Sequence, residues 1–95
     1  MLKIAIVGTG AISSAHIEAY QRFNDQCRIV ALLDLYPDKA RAKAEQFDLE
    51  VAIYQDLADL IKNSDFDLAS ICLPPFAHAS ATVELLNAGK HEVSV

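Results

Sequence analysis

The sequence predicts an α/β fold, a doubly wound parallel sheet of about four or five strands with helices on both faces. Two observations carry this. Short unbroken apolar runs, which mark strands buried on both faces, alternate along the chain with stretches of helical apolar spacing. The runs also end at residues that close a strand: Gly8, Asp34 and the Pro74-Pro75 pair.

Taken in order, Ile4 to Val7 is the first buried run and stops at Gly8. From Ala11 the spacing turns helical, with Ile12, Ala15, Ala19 and Phe23 expected to face the sheet and Glu18, Gln21 and Arg22 the solvent. Ile29 to Leu33 is the second run. Pro37, suited to a first helical turn, then opens a helix with Ala40, Ala44 and Phe47 on one stripe. Val51 to Tyr54 reads as a short strand, and Asp56 as the cap of a brief helix carrying Leu57, Leu60 and Ile61. Leu68 to Leu73 is another buried strand, ended by the two prolines. In the helix that follows, Ala79, Val83 and Leu86 recur at helical spacing, and Gly89 stands where a left-handed C-terminal cap belongs. His91 to Val95 begins one more strand.

Composition narrows the function. The chain has 95 residues, and a domain of that length buries roughly 60 to 70 % of its unfolded surface, so residues 1–95 are read as one domain with one modest core. With 53 % hydrophobic and 22 % charged residues it is expected to fold rather than stay disordered. Eight basic residues against thirteen acidic give a net charge of -5, which repels phosphate backbones and anionic lipid. Nucleic acid and membranes are therefore not expected partners. The run from Leu2 to Val7 is far shorter than the ~20 residues of a membrane span, no signal peptide is visible, and a cytoplasmic location is expected. Cys27 and Cys72 form no Cys-x-x-Cys pair, so neither a metal site nor a redox motif is signalled.

One motif carries chemistry. Gly8-Thr9-Gly10-Ala11-Ile12-Ser13 fits G-x-G-x-x-G with Ser13 in place of the last glycine. It follows a predicted strand, opens a predicted helix and precedes, by about 20 residues, an acid at the end of the next strand, Asp34. These are the requirements of a Rossmann-type dinucleotide site. Gly8 allows the tight turn, Gly10 has no side chain to block a pyrophosphate, and the helix starting at Ala11 presents free N–H groups and a partial positive charge. That local field can hold a phosphate despite the net negative charge. Ser13 is small enough for close helix packing. Asp34 can accept hydrogen bonds from ribose hydroxyls and repel the 2′-phosphate of NADP, which favours NAD; Lys39 or Arg41 can offset part of that repulsion. Asp34 can equally serve as an ordinary cap for the helix near Pro37.

The opening Lys3 to Gly10, His16 on the first helix, Pro74-Pro75-x-x-His78 and Ala88-Gly89-Lys90-His91 together resemble the N-terminal domain of the glucose-fructose oxidoreductase / inositol dehydrogenase (Gfo/Idh/MocA) family over almost the whole chain. The resemblance implies a domain binding NAD, or less favourably NADP, joined in the family to a C-terminal domain that binds a sugar or polyol. It implies Gly8, Thr9, Gly10 and Ala11 to Ser13 around the pyrophosphate, and Asp34 with Leu35 at the adenosine ribose. Leu73, Pro74, Pro75 and His78 fall beside the cofactor. For His78 a bracing role in the loop competes with cofactor contact, and His16 reads as a packed, hydrogen-bonded histidine rather than a catalytic one.

The departure lies at the C-terminus. Where the family runs into a Glu-Lys-Pro motif whose lysine assists hydride transfer, this chain reads Glu92-Val93-Ser94-Val95, with Val95 at the glutamate position or, after a one-residue insertion, just before it. The chain is thus expected to bind the dinucleotide without turnover of its own, and to self-associate or be marginally stable because an apolar strand edge is left open. A stand-alone nucleotide-sensing module and the cofactor subunit of a split enzyme are the alternatives.

Overall fold

Alternation decides the architecture. In the first strand Ile4 and Ile6 point to one side and Ala5 and Val7 to the other, all four fully buried, so both faces of the sheet must be covered. The computed structural model describes residues 1–94; the expected extension of the last strand to Val95, and the motif position assigned to Val95, lie outside the described residues. Nine elements alternate: β1 (Leu2–Val7), α1 (Ala11–Gln21), β2 (Cys27–Leu33), α2 (Pro37–Gln46), β3 (Ala52–Tyr54), α3 (Leu57–Asn63), β4 (Leu68–Ile71), α4 (Pro75–Asn87) and β5 (His91–Ser94). The five strands are all parallel, in the order β3-β2-β1-β4-β5. Val7 pairs with Leu33 on one side and Ile71 on the other, so the three central strands end level. Chain direction across the sheet reverses between β1 and β4, and a crevice opens there at the carboxyl ends.

Each face has its own core. Ile4, Ile6, Ile17, Ile29, Leu32 and Ala40 pack beneath α1 and α2, whereas Ala5, Val7, Leu33, Leu60, Phe66, Ile71 and Leu85 pack beneath α3 and α4. A bulge in β2 passes Val30 over, so that Ile29 opposes Ile4 and Ala31 opposes Ala5; without it the later residues of β2 would face the wrong layer. Burying an Ile or Leu in these layers stabilises the fold by about 1.5–3 kcal/mol each.

Local signals hold at several ends. Pro37 sits in the first turn of α2 with Ala40 fully buried, and the Asp56 carboxylate accepts from the Ala58 N–H at 2.8 Å to cap α3. α4 closes with Gly89 at φ +74°, where the Gly89 and Lys90 N–H groups reach the carbonyls of Leu86 and Leu85, each at 3.0 Å. Some boundaries move: β2 begins at Cys27 rather than Ile29, and β4 ends at Ile71 rather than Leu73.

Two helix faces differ from the expected ones. In α1 the sheet-facing residues are Ser13 and Ile17, while Ile12 is 47 % and Phe23 55 % exposed. In α4 they are Ala81 and Leu85, while Val83 is 57 % and Leu86 60 % exposed. In α4 both stripes are apolar, so residue type alone does not distinguish them. In α1 the chosen stripe includes polar groups satisfied on the spot: the Ser13 hydroxyl donates to the Gly10 carbonyl at 2.7 Å, and His16 Nδ1 lies 2.7 Å from the buried Ser70 hydroxyl on β4.

Candidate functional site

The turn after β1 is built on two glycines with different reasons. Gly8 has φ +97°, and a Cβ added there would lie 2.8 Å from the Cys72 carbonyl oxygen and 3.0 Å from Leu73, so the fold itself demands a glycine. Gly10, by contrast, is the N-cap of α1 at φ -72° and ψ -171°, a backbone that any residue adopts. A Cβ there meets nothing within 4 Å.

Behind Gly10 the helix start is free of acidic side chains. The N–H groups of Ala11 and Ile12 have no intrahelical carbonyl to reach, whereas Ser13 N–H returns to the Gly10 carbonyl at 3.1 Å. Fully buried Ser13 packs the helix close against the sheet. The result is a short row of unpaired donors and the positive end of a helix facing the crevice.

Asp34 stands across this opening, one residue past β2 and 8 % exposed. Its Oδ2 accepts from the Thr9 hydroxyl at 2.6 Å and the Thr9 N–H at 3.1 Å, and its Oδ1 accepts from the Tyr36 N–H at 2.9 Å. Burial pushes this carboxyl upward, but the hydrogen bonds from Thr9 and Tyr36 and the charge of Lys39 outweigh it and hold the group below the usual aspartate range. Asp34 is not the N-cap of α2. That position belongs to Tyr36, which makes no side-chain cap, and the Asp34 bond to Tyr36 closes an Asx turn just ahead of the helix.

The crevice between these groups has a volume of about 1110 Å³ and is lined by the end of β2, by the turns that follow β1, β2, β3 and β4, and by the helices that those turns open. Leu35, 71 % exposed, and Tyr36 flank it near Asp34, while Leu73 and Pro74 bound it near Gly8. A smaller groove of about 450 Å³ adjoins it across Ile12, Cys72 and Leu73, and Pro75 and His78 line that groove instead. His78 is half-buried; its Nδ1 lies 3.5 Å from the Thr82 hydroxyl and its buried Nε2 has no partner among the described residues. Of the expected site residues, Gly8, Thr9, Gly10, Ile12, Asp34, Leu35, Leu73 and Pro74 line the crevice and Pro75 and His78 the groove, whereas Ala11 and the buried Ser13 line neither. Burial pushes the Cys72 thiol up, and a hydrogen bond with the Ser70 side chain only partly opposes this.

Sequence reasoning missed the contribution of α4. Phe76, Ser80 and Glu84 line the crevice from its side, a position that the Pro74-Pro75 break and a helix starting there could have signalled. Arg41 is drawn into an exposed ion pair with Asp38 at 2.7 Å. Among the described residues no group of three His, Cys, Asp or Glu could hold a metal ion, and no helix is long and apolar enough to cross a membrane.

The strand order, the glycine turn opening onto a helix N-terminus and the acid after β2 define a Rossmann-type α/β domain. Residues 2–94 match the family model of the Gfo/Idh/MocA oxidoreductases, described as an oxidoreductase family with an NAD-binding Rossmann fold, and the chain belongs to that family. Inositol 2-dehydrogenase of Salmonella typhimurium is 33 % identical over 90 residues, an alignment that covers 95 % of this chain and 27 % of that protein. The myo-inositol dehydrogenase of Lactobacillus casei, solved with NAD(H) and myo-inositol, superposes with a TM-score of 0.91 at 26 % identity over 99 % of this chain and 28 % of that one. The WlbA dehydrogenase of Bordetella pertussis, solved with NADH and UDP-GlcNAcA, gives 0.90 at 26 % identity over 98 % and 28 %. The chain thus spans little more than a quarter of the length of these relatives.

Proposed function

We propose that residues 1–95 form the dinucleotide-holding domain of an oxidoreductase acting on CH–OH groups of a polyol or sugar, with NAD preferred over NADP. The observation that carries this reading is Gly10. Its backbone is ordinary and a side chain there would touch nothing, so the protein's own packing gives no reason for a glycine. The space in front of it lies at the positive end of α1, where an anion belongs.

The residues present fit the cofactor. Gly10, Ala11 and Ile12 offer N–H groups to the pyrophosphate, with Gly8 shaping the turn and Ser13 seating the helix. Asp34 takes a ribose hydroxyl, and Leu35 and Tyr36 flank the adenosine. Leu73 and Pro74 bound the nicotinamide end, with Pro75 and His78 bracing the loop from the adjoining groove. When bound, the nicotinamide supplies the hydride acceptor or donor. The chain's own part is to bind, orient and discriminate, and we assign turnover to a longer protein that adds a proton-transfer group and a substrate wall.

Three carboxylates, Asp34, Asp56 and Glu84, line the crevice against the single ammonium of Lys39, a balance that disfavours the extra phosphate of NADP. The polyol or sugar class rests on the inositol dehydrogenases among the relatives. The test is an amide NMR titration of the chain with NAD. Shifts concentrated at Gly10 to Ile12 and at Asp34 to Tyr36 are expected; an unperturbed spectrum, or shifts confined to the helix faces away from the crevice, would overturn the reading.

A further inference from the structure

We infer that Thr9 is a positioning residue: its hydroxyl and N–H together turn one oxygen of Asp34 inward and leave the other as the acceptor that meets a ligand. The inference rests on the dinucleotide reading above.

An ionised carboxylate has about four acceptor sites, two per oxygen. Both sites of Asp34 Oδ2 are filled from Thr9, by the hydroxyl at 2.6 Å and the N–H at 3.1 Å. Oδ1 receives only the Tyr36 N–H at 2.9 Å, so one site stays open, on Oδ1. The Asp34 N–H is tied to the Tyr54 carbonyl at 3.0 Å, which fixes the backbone beneath the side chain. Thr9 is 3 % exposed, so water cannot take over its hydroxyl's role.

Two consequences follow. The Thr9 N–H is committed to Asp34, so the anion at the helix start is served by the N–H groups after it. The carboxylate is also clamped from both sides, by Thr9 from the turn after β1 and by Tyr36 ahead of α2, and cannot swing away from a group placed on the ribose. It therefore accepts one strong ribose hydrogen bond rather than two, and a 2′-phosphate meets a fixed negative charge.

The groups acting on this carboxyl are few. Lys39 of α2 is the charged side chain whose field lowers it, Thr9 and Tyr36 act through hydrogen bonds, and Tyr54 of β3 contributes a backbone carbonyl to the Asp34 N–H. Removing the Thr9 hydroxyl withdraws a bond to the charged form, so the carboxyl will titrate at higher pH.

The experiment compares the wild-type chain with Thr9→Val and Thr9→Ser by calorimetry with NAD from pH 3 to pH 8, alongside carbon NMR titration of the Asp34 carboxyl without ligand. Thr9→Val should weaken NAD binding about five- to tenfold at neutral pH and move its acid limb to higher pH, with Thr9→Ser restoring both to within about twofold. Thr9→Val binding like wild type, or binding weakly with its acid limb unmoved, would overturn the inference, as would a Thr9→Ser variant that fails to rescue. If Thr9→Val does not fold, the wild-type titration decides: an Asp34 carboxyl at or above the ordinary aspartate value is incompatible with the clamp. A wild-type chain that does not bind NAD, yet titrates Asp34 low, would retain the clamp and overturn the dinucleotide reading instead.

Discussion

Gly8 and Cys72 touch where the ends of β1 and β4 meet: the hydrogen that Gly8 carries in place of a Cβ faces the Cys72 carbonyl, and a Cβ there would lie 2.8 Å from that oxygen. Two residues further on, Gly10 faces open space. The same motif thus holds one glycine for the fold and one for the ligand, and substitutions separate them.

Gly8→Ala should destabilise the chain by at least about 2 kcal/mol, from the positive φ and the displaced carbonyl together. For a domain of this size that lowers the melting temperature by about 8–15 °C. Gly10→Val should change stability by no more than about 1 kcal/mol, the scale of an N-cap substitution. Thermal melts by circular dichroism check both, and equal losses at the two positions would contradict the distinction.

Asp34 makes stability depend on pH in a defined direction. Its folded carboxyl lies below the unfolded value of about 3.9, so the ionised form is favoured in the native state. The contribution is fully present above the unfolded value and is lost as pH falls through the folded one. Urea denaturation of wild type and Asp34→Asn between pH 3 and pH 7 should show the two curves converging toward the acid end. Parallel curves across that range would mean that the carboxyl is not held low.

Phe66 anchors the layer beneath α3 and α4. It is 1 % exposed, its carbonyl accepts from Lys90 Nζ at 2.9 Å, and that ammonium lies 4.6 Å from its ring centroid. Phe66→Ala should cost about 3–5 kcal/mol, a large share of the 5–15 kcal/mol typical of a domain. Lys90→Met should cost less, about 1 kcal/mol. Denaturant midpoints check the order, which a milder Phe66→Ala would reverse.

Cys72 should be a slow thiol. Burial keeps it protonated above the ordinary cysteine range, and it is 7 % exposed, so it presents little thiolate at pH 8. Labelling followed by peptide mass spectrometry should show Cys72 modified much more slowly than after denaturation in urea. Equal rates would contradict its burial.

The element order and the role of Gly8 were legible because they depend on neighbours in sequence: an apolar run, a glycine, a capping Asp56, a Gly89 past a helix end. The helix faces were not. Val83 and Leu86 in α4 are as apolar as Ala81 and Leu85, which do pack, and in α1 the exposed Ile12 and Ala19 are more apolar than the buried Ser13. The buried side of α1 was hidden further by Ser13 and His16, polar residues whose partners, the Gly10 carbonyl and the Ser70 hydroxyl, are set by the fold. The Thr9 clamp was equally invisible, since a threonine at a variable motif position signals nothing until β2 places Asp34 beside it.

The opening between Gly10 and Asp34 is proposed to hold NAD. This is tested most directly by calorimetric titration of the 95-residue chain and its Gly10→Val variant with NAD and NADP. One site per chain is expected, tighter for NAD than for NADP, with affinity lost by more than about tenfold in a folded Gly10→Val variant. No binding by the folded wild-type chain, or equal NAD binding by the two proteins, would contradict it.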